Sequence, residues 1–489
     1  MKKIIGPLAA VPCLFLLVLG AFAQEAREEV WKGHMETASQ ALKDNKPNEA
    51  VMAFQAAIGE AERFGPQDPR LASTLFILGK YYFSQDKFLG ASTLIRRSLS
   101  IREISLGADH PEVANTIDTL AGMYINERRD REAEPLLRRS LAIRETAYGQ
   151  QHPDVDASLN RLAALYNTQG RYDEVEPLLQ RSLAAREKAL GADHPLVAAA
   201  LNNLGVLYHK QNRLAEAEAL MKRAWDLREK HFGQQHLEVD NSISSLASLY
   251  RDQGKHAEAE KLLMLSMSIR DNSLGAKNPM DPMLAAGLRD LAVVRMAQGK
   301  FAESQPLLER SLVIEENFVG REDPLLAATL INLARVHMNQ QHYSEAEQLL
   351  MRTLTIQENS SGPEHVSITP TLGSLAEVYD RQGLYGSAEP LWKRSQAILE
   401  RSGPEEQPNL AATLDALGRH YSAQQNYREA EPFFQRSFEV AEKSLGENHP
   451  FVAEILGHHA SLLRQTGRAA EAESFDARAQ AVRASQDEK

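Results

Sequence analysis

The chain has 489 residues, a formal net charge of −11 and one cysteine, Cys13. An acidic chain with both signs mixed along its length offers no basic face, so neither nucleic acid nor an anionic membrane surface is an expected partner. A lone cysteine excludes a disulfide framework, and the abundance of Ala, Leu, Glu, Gln and Arg points to helices.

Residues 1–23 read as a signal peptide. Lys2 and Lys3 give a short basic start, Ile4 to Gly20 is apolar, and Ala21-Phe22-Ala23 offers a small-residue cleavage site before Gln24. The rival is an uncleaved anchor, because the apolar run approaches the ~20 residues of a membrane span. Cleavage after Ala23 is the expectation, with a periplasmic or secreted mature chain; a membrane enters only if the segment stays. Cys13 and two lysines leave with the segment.

After the leader the chain repeats itself. Pro69, Pro111, Pro153, Pro195, Leu237, Pro282, Pro324, Val366, Pro408 and Pro450 mark equivalent positions, 42 residues apart except for 45 between Leu237 and Pro282. A fixed period in the 20–50 range is the mark of a solenoid, in which each repeat buries its apolar face on its neighbours. The fold class is therefore all-α, a solenoid of about eleven stacked antiparallel helix pairs. Residues 24–64 supply a divergent first pair, 65–484 hold ten further repeats, and 485–489 form a polar tail. The three extra residues fall between Gly275 and Pro282, where Pro279 and Pro282 offer alternative helix starts and the second restores the register.

Each repeat opens with turn chemistry. Asp-Pro stands at 68–69, 281–282 and 323–324, and His-Pro at 110–111, 152–153, 194–195 and 449–450. Proline suits the first helical position, where its missing N–H has no partner to lose, and the residue before it is placed to cap. Gly65, Gly107, Gly149, Gly191 and Gly446, four residues ahead, fit a left-handed residue ending the previous helix.

Inside the first helix of each repeat (helix A), Leu recurs nine residues after the marker, as in Leu204, followed by Gly or Ala and, three residues on, an aromatic such as Tyr208. Helix B carries a second small residue, as in Ala91, Ala133 and Ala217. These spacings form one stripe, with the small residues admitting the partner helix. L-[G/A]-x-x-Y with Ala twelve residues later resembles the tetratricopeptide repeat (TPR). The 42-residue form, with Leu190-Gly-Ala-Asp-His-Pro195, Leu201-Asn-Asn-Leu204 and Glu132-Ala-Glu-Pro-Leu-Leu-Arg-Arg-Ser-Leu141, is similar to the repeats of kinesin light chains and their bacterial relatives. The resemblance implies a right-handed superhelix whose concave groove takes protein partners.

Candidate chemistry dissolves on comparison between repeats. His110, His152, His194 and His449 recur at a capping position in different repeats, too far apart to share one zinc ion. Glu134, Glu176, Glu218, Glu260, Glu347, Glu389, Glu431 and Glu473 recur just after the small helix B residue and read as a solvated face with i,i+4 partners such as Arg138, Lys222 and Lys393. Ser98, Ser140, Ser182, Ser266, Ser311, Ser395 and Ser437 form a series, whereas a nucleophile is singular and sits beside its base. His459 takes the Leu position of the last repeat, where packing demands relax. No catalytic residue, metal site or cofactor is expected, and no small-molecule substrate.

The positions that vary carry more. One and two residues before the recurrent Leu, and four and five after its small neighbour, face the groove in this architecture. Asn160, Asn167, Asn202, Asn203, His209, Lys210, Arg251, Asp252, Arg289, Asn332 and Asn339 stand there and are the candidate partner-binding residues. Asn is a poor mid-helix residue, but its amide holds a peptide backbone through both a donor and an acceptor. In kinesin light chains, asparagines of the LNNL type line the peptide groove; here Asn202-Asn203 keeps the full pair. The expected function is a non-enzymatic scaffold binding a protein or extended peptide. The alternatives are assembly of an envelope complex through convex or end-repeat contacts and, further off, a hydrolase with an unrecognised site.

Overall fold

The computed structural model describes residues 10–273 and 280–487. Among these residues there is no strand, and 22 α-helices follow one another as eleven pairs. The first five are α1 (Ala10–Lys43) with α2 (Pro47–Glu62), α3 (Pro69–Phe83) with α4 (Phe88–Leu106), α5 (Pro111–Asn126) with α6 (Asp130–Tyr148), α7 (Pro153–Thr168) with α8 (Tyr172–Leu190), and α9 (Pro195–Lys210) with α10 (Leu214–Phe232). The other six are α11 (Leu237–Asp252) with α12 (His256–Ser273), α13 (Pro282–Ala297) with α14 (Phe301–Val319), α15 (Ala327–Asn339) with α16 (Tyr343–Ser361), α17 (Thr369–Arg381) with α18 (Tyr385–Glu400), α19 (Gln407–Ala423) with α20 (Tyr427–Leu445), and α21 (Pro450–Gln465) with α22 (Ala469–Asp487). Residues Met1–His231 and Phe232–Lys489 form two compact units, and within each the pairs pack in chain order.

The helix starts behave as their sequence suggests. Nδ1 of His110, His152, His194 and His449 accepts the N–H two residues on at 3.1–3.2 Å, and the carboxylates of Asp68, Asp281 and Asp323 do the same. His236 and His365 cap identically with no proline following. Of the two starts near the three-residue insertion, Pro282 begins α13; residues 274–279 lie outside the described residues, as do the side chains of residues 1–23. The inter-repeat glycines differ from expectation. Gly107 has φ 93° and ψ 149°, and Gly446 φ 90° and ψ 154°, the glycine-only extended region rather than the left-handed helical one. The left-handed turn residue sits between A and B helices instead, at Asn45, Asp86, Arg128 and Asn212 with φ of 55–60°.

The stripe read from the sequence is the core. Leu78, Leu120, Leu162 and Leu204 are at most 4 % exposed, and Ala91, Ala133 and Ala217 are fully buried. A Cβ on Gly205 would lie 2.9 Å from Met221 Cγ, and one on Gly418 2.7 Å from the Phe434 ring, so these helix A positions are small because helix B is against them. The recurrent serines are buried hydroxyls tying B to A: Ser98, Ser311 and Ser437 donate to the carbonyls of Ala72, Ala285 and Ala411 at 2.6–2.9 Å. His459 departs from its reading. It is 3 % exposed, with its ring between Phe434 and Phe475, and burial holds its pKa below the usual histidine value.

Successive pairs are joined by three sets of polar contacts. The outermost runs between B helices: Arg97–Glu62, Arg139–Glu103 and Arg223–Glu187 at 2.6–2.8 Å in the first unit, and Arg352–Glu316, Arg394–Glu358 and Arg436–Glu400 at 2.6–2.8 Å in the second. The second set overturns part of the sequence reading of the recurrent glutamates. Glu134 and Glu389 do have their i,i+4 partners Arg138 and Lys393, but they also receive a phenol from the next pair. Tyr166, Tyr208, Tyr379 and Tyr421 donate to Glu134, Glu176, Glu347 and Glu389 at 2.7–3.2 Å. Arg171, Arg213 and Arg468 clamp Glu134, Glu176 and Glu431 at 2.6–2.9 Å. Arg171 and its neighbours hold the Glu134 carboxyl below its usual range, and burial with Glu347 pushes the Tyr379 phenol up to about 12. The third set is buried. Toward the next pair Arg102 donates to Thr116 at 2.7 Å, Arg144 to Ser158 at 2.6 Å and Arg270 to Asp281 at 2.9 Å, while within their own pairs Arg144 bonds Asp118 at 2.7 Å and Arg270 bonds Asp240.

Candidate partner-binding face

Helix A buries one side on helix B and the next repeats, which leaves a stripe four, eight, eleven and fifteen residues after the marker. In the first unit the A helices α5, α7 and α9 lie side by side: Arg161 on α7 pairs with Asp118 on α5, and Lys210 on α9 donates to Asn167 on α7 at 3.2 Å. Their exposed stripes form one face. On α3, α5, α7 and α9 it carries Lys80, Arg161 and Lys210 as its charged groups, all cationic, among Asn115, Asn126, Asn203, Gly122, Ala157, Ala164 and other uncharged residues. Asp118, with 7 % of its side chain exposed, is sealed beneath Arg144 and Arg161.

Three of the candidate asparagines meet here. Asn160, Asn167 and Asn203 line a cleft of about 250 Å³ whose floor is Ala163, Ala164, Val175, Leu179, Val206 and Leu207. They are not equivalent. Asn160 is committed to the scaffold through its amide, which donates to the Asp156 carbonyl at 2.8 Å and to Ser182 at 3.1 Å. Asn203 is exposed, and Asn202 and His209 are half-buried beside it. Lys210 also stands 6.0 Å from the Tyr172 ring centre. Arg161 satisfies the same spacing rule and was outside the candidate set; its repeat position alone marks it. Lys80 sits one residue after the small position of α3 and had no such signal.

The remaining candidates lie in the second unit, and four of them are engaged with one another or with the scaffold. Arg251 bonds Asp252 at 3.0 Å and Asp290 at 3.2 Å, and Arg289 bonds Glu315 at 2.7 Å. Asn339 donates to the Arg335 carbonyl of its own helix at 3.0 Å, and Asn332 is half-buried. A hollow of about 800 Å³ opens near Glu316, Arg321, Arg352 and Asn359, but Arg352 there is held by Glu316 and the Arg321 carbonyl at 2.8 and 2.7 Å. Asp380 and His420 make an acid–imidazole pair at 2.6 Å. Its outer contacts are Trp392 on the carboxylate and Gln424 on the ring, each at 2.8 Å, so no nucleophile stands in line. Among the described residues no cluster of three metal-ligating side chains occurs, and no helix is long and apolar enough to cross a membrane.

Paired helices with small residues at the A–B contact, repeating every 42 residues, define a helical-repeat protein. The sequence profile of the tetratricopeptide repeat matches residues 154–230 and, in overlapping segments, 283–485, with a second profile of that name on 71–112, 113–154 and 241–279. The chain belongs to the tetratricopeptide repeat family. Among solved structures it is similar to a putative kinesin light chain of nearly identical TPR-like repeats from Podosopora anserina, at 28 % identity over 43 % of this chain and 98 % of that one, TM-score 0.37. It is also similar to BtubC (BKLC) from P. vanneervenii, at 22 % identity over 48 % of this chain and 92 % of that one, TM-score 0.41. The apo form of the quorum sensor NprR from B. thuringiensis shares the fold over 78 % of this chain and 99 % of its own, at 15 % identity and TM-score 0.53. Comparison with curated proteins gives no match.

Proposed function

We propose that the chain is a non-enzymatic scaffold that holds an extended peptide or protein segment on the A-helix face of its first unit. The observation that carries this reading is the asparagine-rimmed cleft. Its volume of about 250 Å³ is below the ~300–1,000 Å³ typical of small-molecule sites, and suits one or two side chains. Asn203 on the rim presents an amide donor and acceptor to a passing backbone. The small residues around it, Gly122, Ala157 and Ala164, let a main chain approach closely. The face needs no ordering before binding, which lowers the cost of association. Its exposed cations, Lys80, Arg161 and Lys210, favour a segment bearing carboxylates. The leader-like start at Lys2 and Lys3 supports a location outside the cytoplasm, which N-terminal sequencing of the mature protein tests: a chain beginning at Gln24 agrees, and an intact Met1 refutes cleavage.

The face is tested by selecting peptides from a displayed random library on the immobilised mature chain, then measuring the best by fluorescence anisotropy. Asn167→Ala with Asn203→Ala is expected to weaken binding at least tenfold, and Asn332→Ala with Asn339→Ala to leave it unchanged. Equal affinity for wild type and both variants removes the first-unit face as the site.

A further inference from the structure

In most of the joints described above, a helix B glutamate is clasped by a tyrosine, an arginine or both from the next pair. The joint between α13/α14 and α15/α16 replaces all three. Gln305 stands where Glu134 and Glu347 stand, His337 where Tyr166 and Tyr379 stand, and His342 where Arg171 and Arg213 stand. The anionic clasp has become an amide with two imidazoles. Gln340 donates to Gln305 at 3.1 Å. The rings of His337 and His342 lie 5.9 Å apart, and His337 Nδ1 is enclosed with no hydrogen-bond partner.

We propose that this joint is an acid-sensitive seam in the second unit, closed while His337 is neutral and loosened when it takes a proton. A protonated ring here would be an imidazolium whose Nδ1–H has no acceptor, beside a second histidine. The charged and titratable groups facing it are His342 at the cap of α16, Glu345 in its first turn and Glu309 from α14. The carboxylates favour the proton, but burial outweighs them and, with His342, holds the His337 pKa below the ordinary value of 6.5. The sign follows. A histidine depressed in the folded state contributes nothing to instability at high pH, where folded and unfolded chains are both neutral. As pH falls through about 6.5 the unfolded or opened segment takes the proton first, and the seam loses stability until the folded value is passed. Local opening needs no global unfolding, because neighbouring pairs are held by their own contacts.

The test is amide hydrogen exchange on the whole chain at pH 7.5 and pH 5.5, corrected for intrinsic rate, in wild type and in the triple variant Gln305→Glu/His337→Tyr/His342→Arg, which restores the clasp. Protection of α15 and α16 is expected to fall at least tenfold more in wild type than in the variant between the two pH values. An equal fall in both, or none in wild type, overturns the seam. The second measurement is the proton NMR titration of the His337 ring in wild type, which decides alone if the variant does not fold. A ring titrating below the ordinary value of 6.5 supports the proposal, and one titrating at or above it refutes it.

Discussion

Gly418 and Gly122 sit on helices of the same kind and yet have opposite reasons to be glycine. At Gly418 a Cβ would press the Phe434 ring at 2.7 Å, whereas at Gly122, on the open face of α5, nothing lies within 4 Å. Gly418→Ala should therefore lower stability by about 1–3 kcal/mol through overpacking, in spite of alanine's better helix propensity. Gly122→Ala should raise it by up to ~1 kcal/mol. Urea denaturation of the two variants checks the pair; the same sign for both would show that the A–B approach is not what keeps residue 418 small. The contrast was half legible. A small residue always following the recurrent Leu announces close packing, but Gly122, one place further on, carries no periodic signal and its freedom appears only with the neighbours in place. His459 shows the limit from the other side. Its odd residue type at a Leu position suggested an end with little to pack, while Phe475 from α22, which no spacing rule links to it, closes over the ring.

Between elements, the periodic pattern told which face of each helix is buried and left unread how one pair holds the next. Arg102, Arg144 and Arg270 recur at one place in helix B, and beside the many other arginines nothing in the sequence separates them from solvated charge. In the fold they are buried ties: Arg270 has 9 % and Asp240 0 % of the side chain exposed. Arg270→Met should cost about 3–5 kcal/mol, because it strands Asp240 in an apolar setting rather than because the pair is intrinsically strong. Arg270→Met with Asp240→Ala should recover much of that loss in equilibrium denaturation; no recovery would place the cost in lost packing of the arginine stem instead. The outer Arg–Glu ladder is different in kind. Arg139 and Glu103 have 38 % and 31 % of their side chains exposed, so each rung is worth at most ~1 kcal/mol and is screened by salt. The candidate residues show a related limit inside a pair. Asn160 and Arg289 obeyed the groove spacing yet spend their polar atoms on Ser182 and Glu315, on helix B of their own pair, a contact that the spacing of helix A alone does not reveal.

For the molecule as a whole, the period of 42 residues fixes more than the stacking of helices. Contacts of each kind recur at a set offset along the chain: 26 residues for the serine bonds within a pair and, between pairs, 32 for tyrosine to glutamate, 37 for arginine to the clasped glutamate and 36 for the outer ladder beyond its first rung, Arg97–Glu62. An excision of one full period leaves every offset, and so every surviving contact, available to a new partner of the same type. Removing residues 153–194 should therefore give a shorter chain that still folds, with helical circular dichroism per residue unchanged and a cooperative thermal transition. Removing the half-period 153–173 should not, since it would set a B helix where an A helix is required. The contacts that hold the pairs together thus also make chain length a variable that can change by whole repeats without redesign, and the asparagine-bearing pair could be lost, kept or copied as a module.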